Sequence, residues 1–169
     1  MPIAGNSEIF HIFAGKFEKN DITLAMEIKI KRFEEFSLSE LYEIMRIRAE
    51  VFIVEQNCPC QELDYRDQHS THMYVEDNGK ILSYLRVIDP GVKYPAASIG
   101  RVLTVKEARG KGLSRMLMKE AIRLAKELSP VIEIEAQAYL RDFYKSLGFV
   151  ETSEEYILEE RLHIDLKLE

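Results

Sequence analysis

The chain has 169 residues, of which 46% are hydrophobic and 31% charged, and its formal net charge is −6. That composition supplies one core of ordinary size, and the acidic balance excludes a protein that lays a basic face on nucleic acid. No run reaches the roughly 18 apolar residues of a membrane span, and the start lacks a basic stretch followed by an apolar block, so no membrane partner and a cytoplasmic location are expected.

Residues 1–23 scatter Ile9, Phe10, Ile12, Phe13 and Phe17 among Gly and Asn and read as an appended arm. From Leu24 to Phe33, Met26, Ile28 and Ile30 alternate with Glu27, Lys29 and Lys31, and that period of two predicts a half-buried strand. Ser37-Leu-Ser-Glu40 forms a capping box. Leu38, Leu41, Met45, Arg48/Ala49 and Phe52 then recur at helical spacing, predicting a helix from Leu38 to Val54 that ends before Pro59. Cys58 to Thr71 has no periodicity and reads as a polar loop. His72–Glu76 and Lys80–Ile88 flank Asn78-Gly79, a strong hairpin signal. Ala97–Val105 is a further strand, and after the segment Arg109-Gly-Lys-Gly-Leu-Ser114 the residues Leu113, Leu117, Ala121, Leu124 and Leu128 mark a helix face closed by Pro130. Val131–Ala136 reads as a strand, Leu140, Phe143, Tyr144 and Leu147 as a short helix ending at Gly148, and Phe149–Leu158 and Leu162–Leu168 as two closing strands. Hairpins combined with two crossovers require a mixed, mostly antiparallel sheet with helices on its faces, an α/β (α+β) class.

The segment from Ile99 to Ser114 is strand, glycine turn, helix. The first turn of a helix carries backbone N–H groups without intrahelical acceptors and the positive end of the macrodipole, which together hold phosphate. Gly110 and Gly112 let the backbone bend and approach a ligand, and Arg109 and Lys111 add charge. The same glycines also suit an ordinary strand-to-helix connection. Cys58 and Cys60 are the only cysteines, too few for a disulfide framework. With His69 and His72 they outline a Cys-x-Cys…His-x-x-His set, but its spacing matches no familiar zinc finger, so free thiols and no metal are expected.

Arg109 to Ser114 resembles the R/Q-x-x-G-x-G/A turn of the GNAT family of N-acetyltransferases, with Ser114 in place of the final Gly or Ala. Gln137 to Phe149 resembles that family's N-x-x-A-x-x-F/L-Y-x-x-x-G-F segment. Gln137 and Leu140 replace Asn and Ala there, while Phe143-Tyr144 and Gly148-Phe149 match. Leu41-Tyr42, Arg48, Val51-Phe52 and Val54-Glu55-Gln56-Asn-Cys-Pro-Cys60, followed by Glu62 and Asp64, are similar to the ElaA-type signature L-Y-x-x-x-x-x-R-x-x-V-F-V-V-E-Q-N-C-P-Y-Q-D-I-D, with Cys60 where Tyr is usual. Asp67, His72, Ile99-Gly-Arg-Val102 and His163 also match that branch, and the likeness spans residues 24–169, expected as one GNAT domain.

The resemblance implies acetyl-CoA as co-substrate and a small amine or peptide as acceptor. It implies that the strand end at Leu103, Thr104 and Val105 pairs with the pantetheine arm, with an N–H near Leu103 polarising the thioester carbonyl. It gives the pyrophosphate to Arg109, Gly110, Lys111, Gly112, Leu113 and Ser114, and places Gln137 and Tyr144 beside the cofactor. Tyr144 occupies the general-acid position; an ordinary phenol pKa of about 10 keeps it protonated, although it also fits a core aromatic. Glu55 and His72 lead the candidates for the base, with Glu62, Asp64, Asp67 and His163 behind them. Arg48 and Arg101 lie on apolar elements and need buried partners, either loop carboxylates or a carboxylate of the acceptor. Direct transfer is expected, because a ping-pong route through Cys58 or Cys60 needs an activated thiolate that nothing in the sequence provides. The alternatives are an acyl-CoA-sensing module without turnover and an acyl-homoserine-lactone synthase, which shares the R-x-x-V-F pattern at Arg48–Phe52. A homodimer is one assembly open to such a chain.

Overall fold

The computed structural model describes residues 26–169, so the arm read at 1–23 lies outside the described residues. The elements run β1 (Ile28–Arg32), α1 (Leu38–Arg48), β2 (Ser70–Asp77), β3 (Lys80–Ile88), β4 (Ala97–Thr104), α2 (Leu113–Leu128), β5 (Ile132–Gln137), α3 (Arg141–Lys145), β6 (Val150–Glu151), β7 (Tyr156–Leu158) and β8 (Arg161–Leu168). The strands form one mixed sheet in the order β1-β2-β3-β4-β5-β8-β6, with β7 paired to β8. Among the described residues only β4 and β5 pair in parallel; the other pairings are antiparallel.

The alternation of the strands sends apolar side chains to both faces, and each face takes a helix. On one side Leu117, Met118 and Ala121 of α2 pack on Met73, Val87 and Ile134. On the other, Ile44, Ile47 and Val51 pack on Tyr74, Tyr84 and Leu103. Each such Leu or Ile contributes about 1.5–3 kcal/mol through its removal from water.

Helix α1 differs from the expected face. Leu38 is 87% exposed and Tyr42 73% exposed, whereas Ile44, Ile47 and Arg48 are buried. Arg48 belongs to the expected stripe and is buried, its guanidinium on Glu62 and Asp67. The apolar residues buried beside it are Ile44 and Ile47, one position off Met45 and Arg48, while Leu38 at the start of the stripe stays in solvent. From Ala49 to Glu55 the helix widens into π geometry, with Cys58 N–H bonding Ile53 carbonyl at 3.1 Å. The strand expected over Phe149–Leu158 is split into β6 and β7. Asp165 N–H donates to Ser153 Oγ at 2.9 Å in place of a ladder bond, while Thr152 N–H holds Asp165 carbonyl at 2.8 Å.

The feature that positions the site is a gap inside the sheet. β4 and β5 pair only at Ala97↔Ile132 and Ser98↔Glu133, yet both strands run on in the same direction. Just beyond, β4 carries a bulge: Tyr84 faces Leu103 and Arg86 faces Gly100, so Arg101 and Val102 together oppose Leu85. A bulge bends and overtwists its strand. β4 therefore leaves β5, and among the described residues the facing strand edges beyond Ser98 and Glu133 have no strand partner.

Candidate active site

At the end of β4 the chain turns through Gly110 and Gly112, both at φ 78. Among the described residues, apart from the immediate chain neighbours, no atom lies within 4 Å of where a Cβ would stand on either glycine, so the turn opens onto free space. Gly112 caps α2 without a side chain, and the first intrahelical bond is Met116 N–H to Gly112 carbonyl at 3.0 Å. The N–H groups of Leu113, Ser114 and Arg115 precede that bond and share the positive helix end. No acidic side chain occupies this first turn. Its chemistry fits a diphosphate.

The remaining residues expected at the cofactor divide by what they already hold. Thr104 Oγ1 bonds Ser114 Oγ at 2.6 Å and Ser83 Oγ at 2.9 Å, and Ser83 Oγ donates to Leu103 carbonyl at 2.7 Å. This chain of hydroxyls ties β3, β4 and the start of α2 together. Val105 N–H donates to Leu82 carbonyl at 2.9 Å, and Val105 carbonyl accepts from Ala108 N–H at 2.9 Å, so both its backbone groups are engaged within the protein. Leu103 is buried in the α1-side core. Lys111 is exposed beside the glycines. Arg109 lies across the turn, its Nε on Thr104 carbonyl at 3.0 Å and its two terminal nitrogens on Glu55 at 2.7 and 2.8 Å. Gln137, at the end of β5, donates to Gln56 Oε1 at 2.9 Å. Tyr144 is packed edge-on between Phe143 and Phe149, with ring centroids at 5.2 and 6.0 Å. Burial pushes its phenol well above the ordinary value, so it is protonated at neutral pH.

Neither residue favoured for the base sits free to take a proton from an acceptor. Glu55 is held by Arg109 across the glycine turn, and that guanidinium keeps its carboxyl below the ordinary value. His72 has 0% exposure. Its Nε2 lies 3.0 Å from Asp67 carbonyl, which can only accept, so Nε2 carries the proton and Nδ1 accepts from Tyr84 hydroxyl at 2.7 Å. Burial lowers its pKa and keeps the ring neutral.

The loop carboxylates are absorbed with it into one buried cluster. Arg48 binds Glu62 at 2.6 Å and Asp67 at 2.7 Å, and Arg86 binds the same Asp67 oxygen at 2.7 Å and also Asp64. Arg101 reaches Glu62 at 2.7 Å and lies over Phe52 at 5.8 Å. Three guanidinium groups thus balance three carboxylates. Burial alone would raise Asp64, but Arg86 holds it down to about 2. Arg101 has φ 56, a left-handed conformation that costs a non-glycine residue about 1–3 kcal/mol. Its ion pairs hold it there. The loop carboxylates answer the need of Arg48 and Arg101 for buried partners.

A group of residues that the sequence reading did not combine lies on β5 and β8. Glu133, Glu135 and Gln137 alternate with the buried Ile132, Ile134 and Ala136, so they project from the opposite face of β5, beside the gap. Tyr156 hydroxyl bonds both Asp165 at 2.7 Å and Glu135 at 3.1 Å, and Lys93 Nζ lies 3.3 Å from Glu135. Burial holds Lys93 below the ordinary ammonium value. His163 stacks on Tyr156 with ring centroids 6.2 Å apart. A cavity of about 270 Å³ is lined here by Tyr94, Glu133, Asp165 and Lys167. The signal available in the sequence was the Glu-Ile-Glu alternation in β5; its partners lie in distant segments.

A sheet parted between two parallel strands, with a glycine turn opening a helix at the end of one of them, is the arrangement of an acyl-CoA N-acyltransferase fold. The family model described as an acetyltransferase (GNAT) domain matches residues 35–169, and the chain belongs to that family. It is 32% identical over 126 residues to Protein ElaA of Escherichia coli, covering 72% of this chain and 82% of that protein. It is 34% identical over 129 residues to a UPF0039 protein of Synechocystis, covering 75% of this chain and 84% of that one. Among solved structures, an acyl-CoA N-acyltransferase from Pseudomonas aeruginosa matches with TM-score 0.80 and 35% identity, over 85% of this chain and 99% of that one. The acyl-homoserine lactone synthase BjaI shares the fold alone, with TM-score 0.68 at 14% identity over 84% of this chain and 82% of that one.

Proposed function

We propose that this protein moves an acetyl group from acetyl-CoA to a primary amine of a small or peptide acceptor by direct transfer. The observation that carries the reading is the gap between β4 and β5 ending at the uncapped mouth of α2. In this reading the Gly110–Ser114 backbone takes the diphosphate, and Arg109 exchanges Glu55 for a phosphate oxygen. The pantetheine arm lies along the unpaired edge of β4. Val105 contributes its side chain, since its backbone groups are engaged elsewhere. Tyr144, protonated and held between Phe143 and Phe149, returns a proton to the departing thiolate.

The base assignment moves from His72 and Glu55 to Glu135. This carboxylate stands on the parted strand, reaches solvent, and is oriented by Tyr156 and Lys93. Acidic groups around the cavity favour a cationic amine over an anionic acceptor. Burial beside Cys58 pushes the Cys60 thiol up to about 11, so almost none of it is thiolate at neutral pH, which favours direct transfer over an acyl-cysteine intermediate.

The test is an amine panel with acetyl-CoA and thiol release as the readout. Tyr144→Phe and Glu135→Gln are each expected to lower kcat by about 10²–10⁴-fold with acetyl-CoA affinity unchanged. An unaltered rate in Tyr144→Phe removes the acid. Binding without turnover across the panel supports the sensing module instead.

A further inference from the structure

We propose that Cys58, Cys60 and Glu159 form a binding site for a thiophilic divalent cation, zinc by the chemistry of its ligands, at the seam between the segment after α1 and the β7–β8 turn. The sequence prepares the two thiols. Pro59 fixes its own backbone near the angle a three-residue turn needs, and Cys60 N–H closes that turn on Cys58 carbonyl at 2.8 Å. The third ligand arrives from across the molecule. Leu158 pairs with Arg161, leaving Glu159 and Glu160 as a two-residue turn with φ 50 and 62. Gly or Asn would make that turn at lower cost.

The three side chains converge: their ligand atoms all lie within 4.8 Å of one another, and Cys58 Sγ is 4.0 Å from a Glu159 carboxylate oxygen. Among the described residues this is the set of three metal-ligating side chains that meets so closely; neither His69 nor His72 belongs to it. Tetrahedral zinc, with bonds of about 2.3 Å to sulfur and 2.0 Å to oxygen, places its ligands roughly 3.5–3.8 Å apart. Closing the set therefore needs movements of about 1 Å or less. The seam is already aligned, because Arg161 donates to Gln56 carbonyl and Gln137 to Gln56 Oε1. Two thiolates select a soft or borderline metal, and the carboxylate favours zinc over copper(I). Binding forms two Zn–S bonds and one Zn–O bond and releases the two thiol protons to solvent, so affinity rises with pH. Cys58 is buried, Cys60 half-buried and Glu159 exposed, so the fourth position faces water. The cation would cross-link segments about 100 residues apart in sequence, on the flank of the cleft marked by Gln137.

The experiment titrates reduced, metal-free protein with Zn²⁺ against a chromophoric chelator and records the thiolate-to-cobalt absorption of the Co²⁺ form. One equivalent per chain is expected, with intense near-ultraviolet cobalt bands. Loss of an outer-shell partner alone costs about 10–100-fold, so Cys60→Ser is expected to weaken zinc by on the order of 100-fold and, at saturating cobalt, to cut those bands to roughly half with one Co–S bond in place of two. Glu159→Gln is expected to weaken zinc about tenfold, again on the scale of one lost partner. Both variants leave the buried Cys58 in place, and their circular dichroism and acetyl-CoA binding should match the parent. Zinc affinity unchanged in Cys60→Ser, or absent at micromolar metal in the parent, overturns the proposal.

Discussion

One oxygen of Asp67 accepts from both Arg48 and Arg86 at 2.7 Å, while its carbonyl holds His72. Removing one member of a buried ion cluster strands the others, at about 3–5 kcal/mol. Asp67→Ala should lose stability on that scale in urea unfolding, while exposed Glu154→Ala should stay within about 0.5 kcal/mol of the parent. The need for such partners was legible in the sequence, because Arg48 and Arg101 sit on apolar elements. Which carboxylates answered it was not: Glu62 and Asp67 follow Arg48 by 14 and 19 residues through a segment without periodicity. His72 had the chemistry of a base, and only the fold shows that both its nitrogens are spent.

At the level of elements, the turn into α2 was readable because its glycines, charges and following helical stripe agree. At φ 78, Gly112→Ala costs roughly 1–2 kcal/mol of backbone strain. Among the described residues the added Cβ meets nothing beyond its chain neighbours, so its effect on stability is confined to the backbone, and it narrows the open side of the turn proposed for diphosphate. The variant should remain folded, with a slightly lower Tm, and lose at least about tenfold in acetyl-CoA affinity by calorimetry, equivalent to about 1.4 kcal/mol. The gap in the sheet was less readable. It depends on a bulge at Arg101, where no Gly or Asn advertises the left-handed backbone, and on a register set by distant strands. The buried face of α1 was only partly readable: the stripe through Leu41, Met45 and Arg48 puts Arg48 inside, but the apolar residues buried with it are Ile44 and Ile47.

For the whole molecule, the buried charges set the response to acid. His72 titrates below its ordinary 6.5 when folded, so between those values the unfolded chain binds more protons and stability falls as pH drops below about 6.5. Asp64 and Glu40 are both held down to about 2, from ordinary values of 3.8 and 4.5, and Asp67 is lowered from 3.8. Their contributions are complete above those ordinary values and are lost as pH falls toward 2. Tm measured from pH 8 to pH 3 should therefore decline in two stages, the steeper one below about 4.5, and Asp67→Asn should flatten the lower stage. A Tm constant down to pH 4 would contradict the buried cluster.

The account depends above all on the parted strands and the α2 mouth receiving a thioester carrier, and isothermal titration with acetyl-CoA tests this most directly. It predicts one site per chain with Kd on the order of 1–100 μM, within the usual range of substrate affinities. It also predicts competition by free coenzyme A and weakening in both Gly112→Ala and Arg109→Ala. Absence of heat at millimolar acetyl-CoA, or an affinity indifferent to both substitutions, would contradict it.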